Sequence, residues 1–94
     1  MTVHAVIYTV PNCQKCKMTE RILREVMRVK MEHLFEGNDT WSEAKIEKFK
    51  QQGYGSFPVV RIYSDETGKR LDDWCDLQMA KITHWKKQAQ EEQQ

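Results

Sequence analysis

Val3-His4-Ala5-Val6-Ile7-Tyr8-Thr9-Val10-Pro11-Asn12-Cys13-Gln14-Lys15-Cys16 changes its period partway along, and that change decides the fold. Val3 to Thr9 is nearly all apolar or β-forming, the composition of a strand covered on both faces of a parallel or mixed sheet. Val10-Pro11-Asn12 breaks the run. From Cys13 the spacing becomes helical, with Met18, Ile22, Val26 and Val29 on one stripe and charges opposite. A strand therefore delivers two cysteines, two residues apart, to the start of a helix.

Working outward, Met31 to Phe35 reads as a short second strand and Gly37-Asn38-Asp39 as the loop after it. Thr40 with Glu43 matches a capping box, which predicts a helix from about Trp41 to Gln52, ended by Gly53. Phe57 to Tyr63 is a third strand, with Pro58 near its beginning where no ladder donor is needed. Ser64 to Gly68 is a turn and Lys69 to Trp74 an antiparallel return strand. Asp73 or Asp76 can cap a last helix whose apolar positions include Leu77, Ala80, Ile82 and Trp85. Gln88 to Gln94 is polar and reads as a tail beyond a single domain of residues 1–87. A right-handed crossover makes the first two strands parallel and the last two form a hairpin. The expected class is α/β, a four-stranded mixed sheet flanked by three helices, the minimal thioredoxin-like layout.

Bulk properties bound the function. The 94 residues suit one core. With 39% hydrophobic and 31% charged residues the composition is that of a soluble globular chain. Fifteen Lys and Arg against fourteen Asp and Glu leave a charge of +1, so neither nucleic acid nor an anionic membrane is an expected partner. No apolar stretch reaches the length of a membrane span, and the N-terminus shows no secretory pattern. Three cysteines do not make a disulfide framework, so a reducing cytoplasm is expected; the chain is read as a monomer.

The chemistry lies in Cys13 and Cys16. Helix N–H groups and the positive end of the helix dipole stabilise a thiolate at Cys13, and Lys15 can add positive charge. Cys13 is then the nucleophile that attacks a disulfide, and Cys16, one turn on, resolves the mixed disulfide; no bound cofactor is needed. A zinc site would require four ligands, and beyond the pair only Cys75, His4, His33 and His84 are available, with no second close-spaced pair. Pro58 can be cis, yet from the residues alone the commoner trans form is expected.

Tyr8 to Cys16 and Gly53-Tyr54-Gly55-Ser56-Phe57-Pro58-Val59-Val60 together resemble the active-site and proline-strand segments of the glutaredoxin family, a likeness that extends to about Trp85. The resemblance implies a cis Pro58. It is nearest to the NrdH-redoxins, glutaredoxin-like proteins that reduce ribonucleotide reductase and take electrons from thioredoxin reductase. Cys-Gln-Lys-Cys lacks the Pro-Tyr usual between glutaredoxin cysteines, and Trp74 begins a segment similar to the Trp-Ser-Gly-Phe motif, although Cys75, Asp76 and Leu77 replace its last three residues. An alternative alignment likens Cys75-Asp76-Leu77 to the last helix start of glutathione-using glutaredoxins, with Lys15, Phe57, Cys75 and Asp76 lining a groove for glutathione as co-substrate. Across both alignments the substrate-binding positions implied are Pro11, Lys15, Phe57, Pro58, Trp74, Cys75 and Asp76. A more distant alternative is a metal or iron–sulfur module, since glutaredoxin relatives can hold a cluster across a dimer.

The remaining residues have plainer readings. Cys75 is taken as a small buried residue, Met18 and Met79 as core filling, and Trp41 and Trp85 as core or rim packing. The histidines are read as surface or strand residues.

Overall fold

The computed structural model describes residues 2–35 and 41–92. Seven elements follow in order: β1 (Val3–Thr9), α1 (Gln14–Arg24), β2 (Arg28–His33), α2 (Trp41–Gln51), β3 (Val59–Ser64), β4 (Arg70–Cys75) and α3 (Met79–Glu92). The strands form one sheet in the order β2-β1-β3-β4. β1 runs parallel to β2, as the crossover through α1 requires, and antiparallel to β3, which pairs antiparallel with β4. This is the mixed, three-helix architecture expected from the sequence.

Strand alternation divides the interior in two. Val3, Ala5, Ile7, Val60, Ile62 and Trp74 face α1 and α3, where Leu23, Ile82 and Ala89 complete the larger cluster. Val59 on the opposite face meets Phe49 of α2 and Leu34, with Tyr8, Val10, Tyr54, Phe57 and Cys75 at its margin.

Several boundaries differ from expectation. α1 stops at Arg24, and Val26 and Met27 fold over the larger cluster in the turn that follows, so Val29 belongs to β2, which starts before Met31. The buried stripe of α1 is Cys16, Thr19 and Leu23, and Met18 is 45% exposed. Met79 is 47% exposed and Ala80 lies outside, because α3 buries Ile82 and Ala89 instead. Neither proposed aspartate caps α3: Asp73 lies within β4, and Asp76 turns its carboxylate to the N–H of Leu77. α3 runs to Glu92, well into the segment read as a polar tail; Ala89, 4% exposed among glutamines, gives that turn an apolar foothold that composition concealed. Gly53 ends the α2 segment at a φ of 93°, a backbone region that favours glycine. The loop expected at Gly37 to Asp39 and the Thr40 cap lie outside the described residues.

Candidate active site

Cys13 is the N-cap of α1. Pro11 and Asn12 form the turn that ends β1, with Asn12 at a φ of 60°, a conformation its short side chain tolerates. A disulfide joins Cys13 to Cys16 across a Cα separation of 5.2 Å. The backbone N–H of Cys16 donates to the Cys13 sulfur at 3.1 Å, so this sulfur already sits where a helix start offers its unpaired donors. The two sulfurs differ in access. Cys13 is half-buried, whereas Cys16 is 1% exposed beneath the first turn. Thr19, fully buried, donates its hydroxyl to the carbonyl of Lys15 at 2.9 Å and closes that turn from below.

The second wall comes from the far half of the chain. The Phe57–Pro58 bond is cis, as the family resemblance implied and as the residues alone did not. Val59 pairs with Cys75, and the N–H of Asp76 donates to the carbonyl of Pro58 at 2.9 Å, which extends the β3–β4 ladder past its end. Lys15 then crosses from α1 and donates to the Asp76 carboxylate at 2.7 Å. The N–H of Leu77 donates to the same oxygen at 2.8 Å. The Lys15 bond, followed by the Leu77 N–H, holds the Asp76 carboxyl below the ordinary aspartate range.

Of the positions expected at a substrate surface, Lys15, Pro58 and Asp76 are thus brought together, and Pro11 lies on the other flank. Phe57 turns its ring away, edge-on to Phe49 with centroids 6.3 Å apart, and Cys75 follows it to the margin of the α2 cluster as a half-buried free thiol. Trp74 is withdrawn altogether: at 4% exposure it belongs to the larger cluster, because alternation along β4 turns it opposite to Cys75.

A pocket on the β2 side of the disulfide escaped the sequence reading. Its volume is about 370 Å³, and Pro11, Asn12, Cys13, Cys16, Lys17, Glu20, Met31 and His33 line it. Met31 and His33 arrive through the parallel pairing of β1 with β2, a neighbour relation that no local motif encodes. The candidate zinc ligands do not converge, and no group of three or more His, Cys, Asp or Glu among the described residues could hold a metal ion. No helix among the described residues is long and apolar enough to cross a membrane.

The sequence matches no family model and no curated relative. Solved structures do match. The NrdH-redoxin of Escherichia coli, a glutaredoxin-like protein with a thioredoxin-like activity profile, is similar over 86% of this chain and 92% of its own, with a TM-score of 0.62 and 22% identity. Spinach chloroplast thioredoxin f is similar over 95% of this chain and 77% of its own, with a TM-score of 0.56 and 12% identity. Schistosoma mansoni thioredoxin covers 93% of this chain and 78% of its own, with a TM-score of 0.54 and 14% identity. The chain has the thioredoxin-like fold, with a disulfide-capable cysteine pair at the start of its first helix.

Proposed function

We propose that this protein is a thiol–disulfide oxidoreductase that carries electrons on Cys13 and Cys16. The carrying observation is the inequality of the two sulfurs: one half-exposed at a helix N-terminus, the other 1% exposed one turn behind it. In the dithiol form the helix N-terminus favours the Cys13 thiolate. That thiolate attacks one sulfur of a substrate disulfide and expels the other as a thiolate, leaving a mixed disulfide on Cys13. Cys16 loses its proton and attacks the Cys13 sulfur, expelling the second substrate thiolate and closing the Cys13–Cys16 bond. Two electrons pass to the substrate, and the two protons released by the protein balance its two thiolates. Pro11, Lys15, Pro58 and Asp76 are the surface against which the substrate chain lies.

Within that activity, the NrdH-type reading is preferred: electrons from thioredoxin reductase, delivered to a disulfide of ribonucleotide reductase or a similar protein in the reducing cytoplasm. The Cys-Gln-Lys-Cys motif and the likeness in fold to the Escherichia coli NrdH-redoxin support it. Glutathione as donor is the competing reading, favoured by Lys15 and Asp76 beside Pro58. Turnover with NADPH and thioredoxin reductase, but not with glutathione and its reductase, is expected; the reverse result rejects the preferred donor. Cys16→Ser should trap mixed disulfides through Cys13, and absence of any trapped partner would defeat the assignment of roles.

A further inference from the structure

Lys15 and Asp76 are opposite charges on the Pro58 side of the disulfide, and they are spent on each other. The ion pair is short, 2.7 Å, although both side chains stay accessible at 55% and 44%. Asp76 is tethered locally, since the Leu77 N–H donates to its carboxylate and its own N–H is bonded to Pro58. Lys15 lies on the first turn of α1, two residues past Cys13, and its bond to Asp76 ties the turn that carries the disulfide to the segment after β4. On the opposite flank the charged and titratable lining is Lys17, Glu20 and His33, which again mixes signs.

We infer that the Lys15–Asp76 pair makes this site indifferent to the charge of the disulfide it reduces, so that its substrates are selected by fit and not by sign. The inference rests on the oxidoreductase reading above and concerns its substrate class. Either charge alone would bias the encounter. A unit charge at about 6 Å from a substrate charge in water changes the rate by about three-fold at low salt, with opposite signs for Lys15 and Asp76. Held in contact, the two leave a dipole whose field falls off faster and largely cancels.

The test uses reduced protein in single turnover with three disulfides of similar size: dianionic dithiodipropionate, neutral hydroxyethyl disulfide and dicationic cystamine. Each rate is normalised to the neutral disulfide and then to the same ratio for a small free dithiol, which removes leaving-group chemistry and any general loss of activity. The wild type should show dianion-to-dication selectivity within about two-fold of unity, Asp76→Asn should raise it by about five-fold to ten-fold, and Lys15→Gln should lower it as much. The double variant should return to the wild-type ratio, and the shifts should shrink at about 0.5 M salt. Single variants whose ratio stays at the wild-type value, or a wild type that already strongly favours one sign, overturn the inference while leaving the oxidoreductase reading intact. A wild type that reduces none of the three defeats that reading, and the inference with it.

Discussion

Asp72 and Arg61 come from adjacent strands and face opposite sides of the sheet, and the chain treats their charges differently. Asp72 looks toward α3, where the Trp85 indole donates to it at 2.8 Å and Lys81 donates to both oxygens at 2.9 and 3.1 Å. Arg61 looks toward α2, where it is 9% exposed, gives one N–H to Gln52 at 3.0 Å and leaves Nε without a partner among the described residues. Its guanidinium lies 5.5 Å from the Tyr8 ring centroid and 5.6 Å from that of Phe49, and Lys45 approaches the same two rings at 5.1 and 5.2 Å. Burial, and then the nearness of Arg61, lowers the pKa of Lys45. The α1–α3 face is thus an apolar core whose half-buried carboxylate at Asp72 is bonded from two sides, although the buried Trp74 indole N–H has no hydrogen-bond partner among the described residues. The α2 face, which supports Phe57 before the cis proline, is an aromatic layer with cations laid over it.

That contrast can be broken most strongly at Phe49. Its ring meets Tyr8, Tyr54 and Phe57, so Phe49→Ala should cost about 3–5 kcal/mol in denaturant unfolding, because it removes the centre of the aromatic layer. A loss below about 1 kcal/mol would mean that the layer contributes little. Leu23, fully buried two turns further along α1 on the same stripe as Cys16, should cost about 2–4 kcal/mol as Leu23→Ala and should also raise the access of Cys16 to alkylation in the reduced protein. Stability loss without that change would separate the core from the site.

Asp72→Asn sharpens the comparison, with an expected loss of about 1–2 kcal/mol at neutral pH from weakened charge-assisted hydrogen bonds. Burial acts to raise the Asp72 pKa, but the bonds from Trp85 and Lys81 outweigh it and the net shift is downward. A carboxyl held lower in the folded state than in the unfolded chain contributes stability above its unfolded pKa. That contribution is lost as pH falls through the folded value. The acid limb of the stability profile should therefore be shallower in Asp72→Asn, and an unchanged limb would refute the assignment. Smallest is Arg61→Met, expected within about 1 kcal/mol of wild type, since an apolar side chain of similar length removes the cost of burying the charge together with the Gln52 bond. A loss of several kcal/mol would show that the cation–aromatic contacts are structural necessities.

How far the chain could be read ahead of its structure follows from the range of the interactions involved. The alternation of β1, the break at Pro11-Asn12 and the cysteine spacing are local, and they suffice to place the disulfide at the head of α1. Gly53 was legible for the same reason. The stripe on α1 was misjudged because Met18 and Leu23 are equally apolar in composition, and only the position of the sheet decides which of them is covered. Arg61 was passed over within Val59-Val60-Arg61-Ile62-Tyr63, and its aromatic surroundings come from β1, α2 and the segment after Gly53.

By itself, then, the sequence determined the order of elements, the mixed sheet and the pair of sulfurs with one at a helix start, because hydrophobic period and backbone stereochemistry act over a few residues. Only the tertiary structure decided that Lys15 meets Asp76, that Trp74 is lost to the core while Cys75 is not, and that Met31 and His33 line the disulfide pocket. Those outcomes depend on strand register and on which faces pack, and both are settled by contacts between segments far apart in the chain.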